Sequence, residues 1–223
     1  MDSPHESQQH LEVGTDLTTL VKRLRGLTDG TTRVIIGMVG APGVGKSTIA
    51  DDLVGILGAD RAVVVPMDGF HIATSALPQE DQIRRRGAID TFDIGGYLSL
   101  LARIRDRSED VVYAPGFDRG IEEPIAGYIP VARQVPIVIT EGNYLLSSES
   151  RWAEVRAHLD ETWYLEGNPE RRRERLIARH IASGKTESEA RRWTFESDGA
   201  NATLVAATRP RADLVVRLGR SCP

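Results

Sequence analysis

Val34-Ile35-Ile36-Gly37-Met38-Val39-Gly40-Ala41-Pro42-Gly43-Val44-Gly45-Lys46-Ser47-Thr48 is the stretch whose reading decides the fold. Its first six residues form a nearly all-apolar run, the mark of a strand covered on both faces. The next eight satisfy G-x-x-x-x-G-K-[ST]. From Ser47 to Leu57 the apolar positions Ile49, Leu53, Val54, Ile56 and Leu57 recur at helical spacing. Strand, glycine-rich turn and helix therefore follow in the order that a phosphate-binding loop requires. The glycines let backbone N–H groups turn toward phosphate oxygens, and the helix offers its positive end. Lys46 can reach the β- and γ-phosphates, and the Ser47 hydroxyl can ligate Mg²⁺. The stretch predicts a nucleoside triphosphate site made of Gly40, Ala41, Pro42, Gly43, Val44, Gly45, Lys46, Ser47 and Thr48.

Outward from this loop, short apolar runs recur at Ala62–Val65, Pro136–Thr140, Thr162–Leu165 and Leu214–Val216, with helical stretches between them. With Val34–Val39 they predict a five-stranded parallel sheet flanked by helices, an α/β architecture. Residues 1–15 are polar and read as a flexible tail, and 16–223 as one domain. A helix with Leu17, Leu20, Val21, Leu24 and Leu27 on one face opens that domain. Val111–Val131, rich in Pro and Gly, reads as a hairpin-like excursion from the sheet's edge.

Bulk properties exclude several classes. A net charge of -4 argues against a general nucleic-acid binder. The single cysteine, Cys222, leaves no disulfide framework and no zinc spacing. No apolar run is long enough to span a membrane, and Met1–His10 lacks a signal-peptide core, so a cytoplasmic protein is expected.

Three further signals narrow the chemistry. Asp68 follows the second strand, where strand ends of an open α/β sheet line the ligand crevice. A carboxylate there can orient an acceptor hydroxyl and take its proton, although Asp68-Gly69 also suits a plain turn. Ile137-Val138-Ile139-Thr140-Glu141 is an apolar strand ending in an acid, which places Glu141, with Ser47, to hold Mg²⁺. Pro169–Ser183 is a basic helix carrying Arg172, Arg175 and Arg179 on one broad face. Such a face can be mere solvated surface. In small-molecule kinases it is a lid, here about residues 169–195, whose arginines stabilise the transferring phosphoryl group.

Together with Met67-Asp68-Gly69-Phe70-His71, Arg85-Arg86-Gly87, Thr91-Phe92-Asp93, Tyr113-Ala114-Pro115 and Glu141-Gly142-Asn143-Tyr144-Leu145-Leu146, these motifs resemble the P-loop kinase group of uridine kinase, type I pantothenate kinase and phosphoribulokinase. The likeness spans about residues 33–218 and is nearest to uridine-kinase-like proteins, some labelled fructose-transport-system kinases. It implies ATP and Mg²⁺ as cofactors, Asp68 as catalytic base, and Lys46, Arg175 and Arg179 as catalytic cations. It also implies Arg85 and Arg86 beside the acceptor pocket and Asn201 near ligand. His71 and Asp118 complete the expected acceptor set, with Phe117-Asp118-Arg119 and Glu122-Glu123 serving either as acceptor contacts or as a solvated loop. Dimers are common in the group, so a homodimer is admitted.

The chain departs from its models in two places. Gly-Phe-His, not Phe-Tyr, follows Asp68, and Trp193, Phe195 and Gly199–Ala202 stand where pantothenate kinase has an aromatic-rich pocket. The expected activity is thus transfer of the ATP γ-phosphoryl to a hydroxyl of a nucleoside, sugar or pantothenate-like metabolite. Two rivals are a GTPase switch, which lacks its Asn-Lys-x-Asp motif here, and a nucleotide-binding regulator without phosphotransfer.

Overall fold

The computed structural model describes residues 9–13 and 17–219. Its centre is β2 (Val34–Val39), an all-buried strand with β6 (Ile137–Gly142) on one side and β7 (Glu161–Glu166) on the other. β3 (Ala62–Pro66) extends the sheet beyond β6, and β8 (Leu214–Leu218) extends it beyond β7. All these pairings are parallel. The order β1-β8-β7-β2-β6-β3 includes a sixth strand, β1 (Gln9–Val13), paired with β8. The five expected strands are present. The sixth falls within the segment read as a tail, and an edge strand with one neighbour needs no long apolar run to announce it. The rest of that segment lies outside the described residues, as does Cys222.

Alternation along the strands builds two cores. Ile35 and Val39 face one cluster with Tyr97, Leu101, Trp152 and Val155. Ile36 and Met38 face the other with Leu20, Leu24, Leu53 and Trp163. The second cluster is covered by α1 (Thr18–Leu27) and α2 (Lys46–Leu57), and the first by α4 (Ile94–Asp106) and the helical turns of Ser150–His158. Asp93 starts α4 by accepting from the Gly96 N–H at 2.9 Å.

Three outlying pieces frame the carboxyl end of the sheet. The expected excursion is an antiparallel hairpin of β4 (Val111–Asp118) and β5 (Glu123–Ala132), a two-stranded sheet of its own. A short helix, α3 (Glu80–Arg84), lies in the connection after β3. The arginine-rich segment forms α5 (Pro169–Ala182), followed by α6 (Glu187–Phe195) and α7 (Ser197–Ala207). Asn168 caps α5 through its side-chain oxygen, with Pro169 in the first turn. Gly184, at φ +90°, ends it. A Thr186–Glu189 capping box starts α6. No described helix is long and apolar enough to cross a membrane.

Candidate active site

The phosphate loop bridges the end of β2 and the start of α2. Gly43 and Gly45 sit at φ +76° and +107°, conformations that a side chain would strain. Gly43 has a second duty, because a Cβ there would lie 2.7 Å from the Leu176 side chain of α5. The loop and the lid helix thus touch directly. Arg172 Nη1 donates to the Pro42 carbonyl at 3.1 Å and Arg175 Nη1 to the Val44 carbonyl at 3.3 Å.

Lys46 is buried, and its Nζ donates to the Gly40 carbonyl and to Asn143 Oδ1, both at 2.8 Å. Burial pushes its pKa down, against the opposing charges of Glu141 and Asp68. Ser47 Oγ donates to Glu141 Oε1 at 2.8 Å. Burial raises the pKa of the Glu141 carboxyl, opposed by the Lys46 ammonium. Two side-chain oxygens able to hold a cation therefore sit side by side next to the loop. No cluster of three or more acidic, His or Cys side chains suited to a metal occurs among the described residues. This sparse donor set fits Mg²⁺, which binds through one or two protein oxygens plus phosphate and water.

Asp68 stands in the helical turn Met67–Phe70 directly after β3. The turn is pressed against the hairpin so closely that a Cβ on Gly69 would collide with the Pro115 carbonyl. His71 Nδ1 donates to the Asp68 carbonyl at 2.7 Å, which leaves Nε2 as an acceptor. The His71 ring lies between Phe92 (4.1 Å between centroids) and Phe117 (4.8 Å). Burial pushes its pKa down, against the attraction of the Asp68 charge.

A cleft of about 620 Å³ joins these groups. Its lining includes the loop group of Lys46, Ser47, Thr48, Glu141 and Asn143, a second group of Asp68, His71, Arg86 and Asn201, and Arg175 and Arg179 from α5. The Arg179 guanidinium makes no hydrogen bond or ion pair among the described residues. Desolvation and the nearby Arg119 charge lower its pKa. Asn201 lies within 3.4 Å of the Gly87 carbonyl, to which the Tyr144 hydroxyl donates at 2.7 Å.

Two expected acceptor residues are not in the cleft. Arg85 turns outward because Asp81 and Asp90 on its own segment hold its guanidinium. Asp118 is spent on the hairpin turn, where its Oδ1 accepts from Gly120 N–H at 2.7 Å. Its neighbour Arg119 lines the cleft instead, with Nη2 3.7 Å from Asp68 Oδ2. Sequence reasoning also passed over Asn143 as a partner of Lys46, and over the buried pair of His180 Nε2 and Asp198 Oδ2 at 2.8 Å. Asn143, two residues past Glu141, could have been found by strand alternation. The His180–Asp198 pair joins two helices and leaves no local trace.

Comparison with known proteins follows the same lines. No protein-family model matches the chain. It is 34% identical over 195 residues to a candidate uridine kinase of Schizosaccharomyces pombe, covering 83% of each chain. A crystal structure of a candidate fructose transport system kinase from Silicibacter superimposes with a TM-score of 0.80 at 33% identity, covering 90% of this chain and 98% of that one. A candidate P-loop-containing kinase of Saccharomyces cerevisiae with a circular permutation superimposes with a TM-score of 0.78 at 19% identity, a likeness of fold.

Proposed function

Since the chain belongs to the uridine-kinase-like P-loop kinases, enzymes that phosphorylate small molecules, we propose that it moves the γ-phosphoryl of MgATP onto a hydroxyl of a small polar metabolite. The observation that carries this reading is the single cleft in which Asp68 and the Lys46–Ser47–Glu141 group face one volume beneath Arg175 and Arg179.

The ATP phosphates lie on Gly40–Thr48, with the loop N–H groups and Lys46 opposing their charge. Ser47 and Glu141 would hold Mg²⁺, which when bound draws charge from the phosphates. Asp68 orients the acceptor hydroxyl and takes its proton as the oxygen forms its bond to the γ-phosphorus. The bond to the β–γ bridging oxygen breaks and ADP leaves. Arg179, whose guanidinium has no partner to give up among the described residues, meets the charge spread over the transferring group, and Arg175 assists from the turn before. His71 Nε2 and Asn201 accept and donate hydrogen bonds to the acceptor's other polar groups. Packing of α5 onto the loop excludes water, which keeps idle hydrolysis slow.

The test is ADP release across a panel of nucleosides, free sugars, sugar phosphates and pantothenate, with Lys46→Ala as blank. Acceptor-dependent ADP formation that vanishes in the variant supports the reading. Steady ATP turnover indifferent to every acceptor would overturn it.

A further inference from the structure

Among the described residues, the acceptor side of the cleft holds one guanidinium, Arg119, that no carboxylate meets at hydrogen-bond distance. Arg119, at the hairpin tip, has one polar contact among the described residues, the loose 3.7 Å approach to Asp68, and its side chain is half exposed. It flanks the Phe117 ring with its Cζ 6.0 Å from the centroid, and Arg86 approaches the same ring at 5.6 Å. Two guanidiniums are thus gathered on one aromatic side chain at the mouth of the acceptor site.

Arg86 is anchored. It donates to Glu123 Oε2 at 2.9 Å and to the Glu122 carbonyl, and among the described residues its buried Nε has no hydrogen-bond partner. Arg119 is not anchored in this way. Its charge lies near Arg179, whose pKa it lowers after desolvation does. A neutral polyol filling this end would leave the Arg119 donors competing with it for Asp68. An anion removes that competition, because a guanidinium binds carboxylate or phosphate through paired N–H groups.

We propose that the acceptor is an anionic hydroxy compound, carrying a carboxylate or a phosphate group, and that Arg119 is the residue that binds the anion, leaving Asp68 for the reacting hydroxyl. This rests on the kinase reading of the same cleft.

The experiment measures binding and turnover separately. With the phosphate loop filled by a non-hydrolysable MgATP analogue, calorimetry reads the affinities of ribose, ribonate and ribose 5-phosphate, and of glycerol, glycerate and glycerol 3-phosphate. These are compared in wild type, Arg119→Leu and Arg119→Lys. At least one anion should bind about tenfold or more tighter than its neutral partner. The ratio should collapse toward one in Arg119→Leu and partly return in Arg119→Lys. The carboxylate and phosphate arms tell the two sources of anion apart.

Arg119 lies at an exposed tip, and an unchanged melting temperature shows that the variants fold. Equal affinity for anion and neutral partner, or a preference that survives Arg119→Leu, overturns the proposal, including when no compound binds better than another. Coupled ADP release on the same compounds reads the kinase reading independently. Anion binding through Arg119 without phosphorylation of any compound counts against transfer and for the anion site. Phosphorylation of neutral compounds alone counts the other way.

Discussion

The proposed nucleotide end and the proposed acceptor end of one cleft are built by opposite means. At the nucleotide end nine consecutive residues, Gly40–Thr48, supply most groups, joined by Glu141 in β6 and Asn143 just beyond it. The acceptor end draws on the turn after β3, the segment after α3, the hairpin, α5 and α7, at most two consecutive residues at a time. A contiguous site is set by local backbone geometry, which the chain carries wherever it folds. An assembled site is set by packing, so its members can be exchanged while the fold stays.

That contrast can be broken by substitution, and the largest effect is expected at the contiguous end. Lys46→Ala removes the buried cation that faces the phosphates, and turnover should fall by about 10³ or more in a coupled assay. Nucleotide affinity should fall with it, since both properties share one set of atoms. Arg179→Ala should lower kcat by roughly 10²–10³ with a smaller change in nucleotide Kd, because a cation that meets developing charge acts mainly in the transition state. Equal losses in kcat and Kd would show that Arg179 only holds the ground-state nucleotide.

At the assembled end the effects should divide. Gly69→Ala would push the Asp68 turn off the Pro115 carbonyl. It should cost about 1–3 kcal/mol of stability and raise the acceptor KM while leaving nucleotide Kd near wild type. A matching rise in nucleotide Kd would mean that the two ends are not separable. The smallest effect concerns pH. Burial holds the His71 pKa below its free value of 6.5, so the unfolded chain binds this proton more readily than the folded one. The associated stability is present above pH 6.5 and is lost as pH falls toward the depressed folded value. His71→Gln should flatten that part of the stability-pH curve by denaturant titration, and an unchanged slope would remove His71 as its source.

Legibility followed the same divide. The strand-loop-helix of Val34–Leu57 and the other central strands were readable because full burial leaves uninterrupted apolar runs. Asp68 and Glu141 were readable because each stands at the end of such a run. β1 was not, since pairing on one side imposes little on its sequence. Arg85 and Asp118 illustrate a second limit. Each lies one position from a residue that does line the cleft, Arg86 and Arg119, and only the competing partners decide which side chain turns into it. Asp81 and Asp90 take Arg85, and the hairpin turn takes Asp118. Those partners are fixed by folded geometry, so motif position alone could not choose between neighbours.

The central claim is that one cleft joins a nucleotide site to a separately built acceptor site through Asp68. The most direct test is Asp68→Asn, with transfer of labelled γ-phosphate to an accepted substrate measured beside the affinity for a non-hydrolysable MgATP analogue. Transfer should drop by about 10²–10⁴ while nucleotide affinity stays within about twofold. Wild-type transfer in the variant, or a loss of nucleotide binding that matches the loss of transfer, would contradict the account.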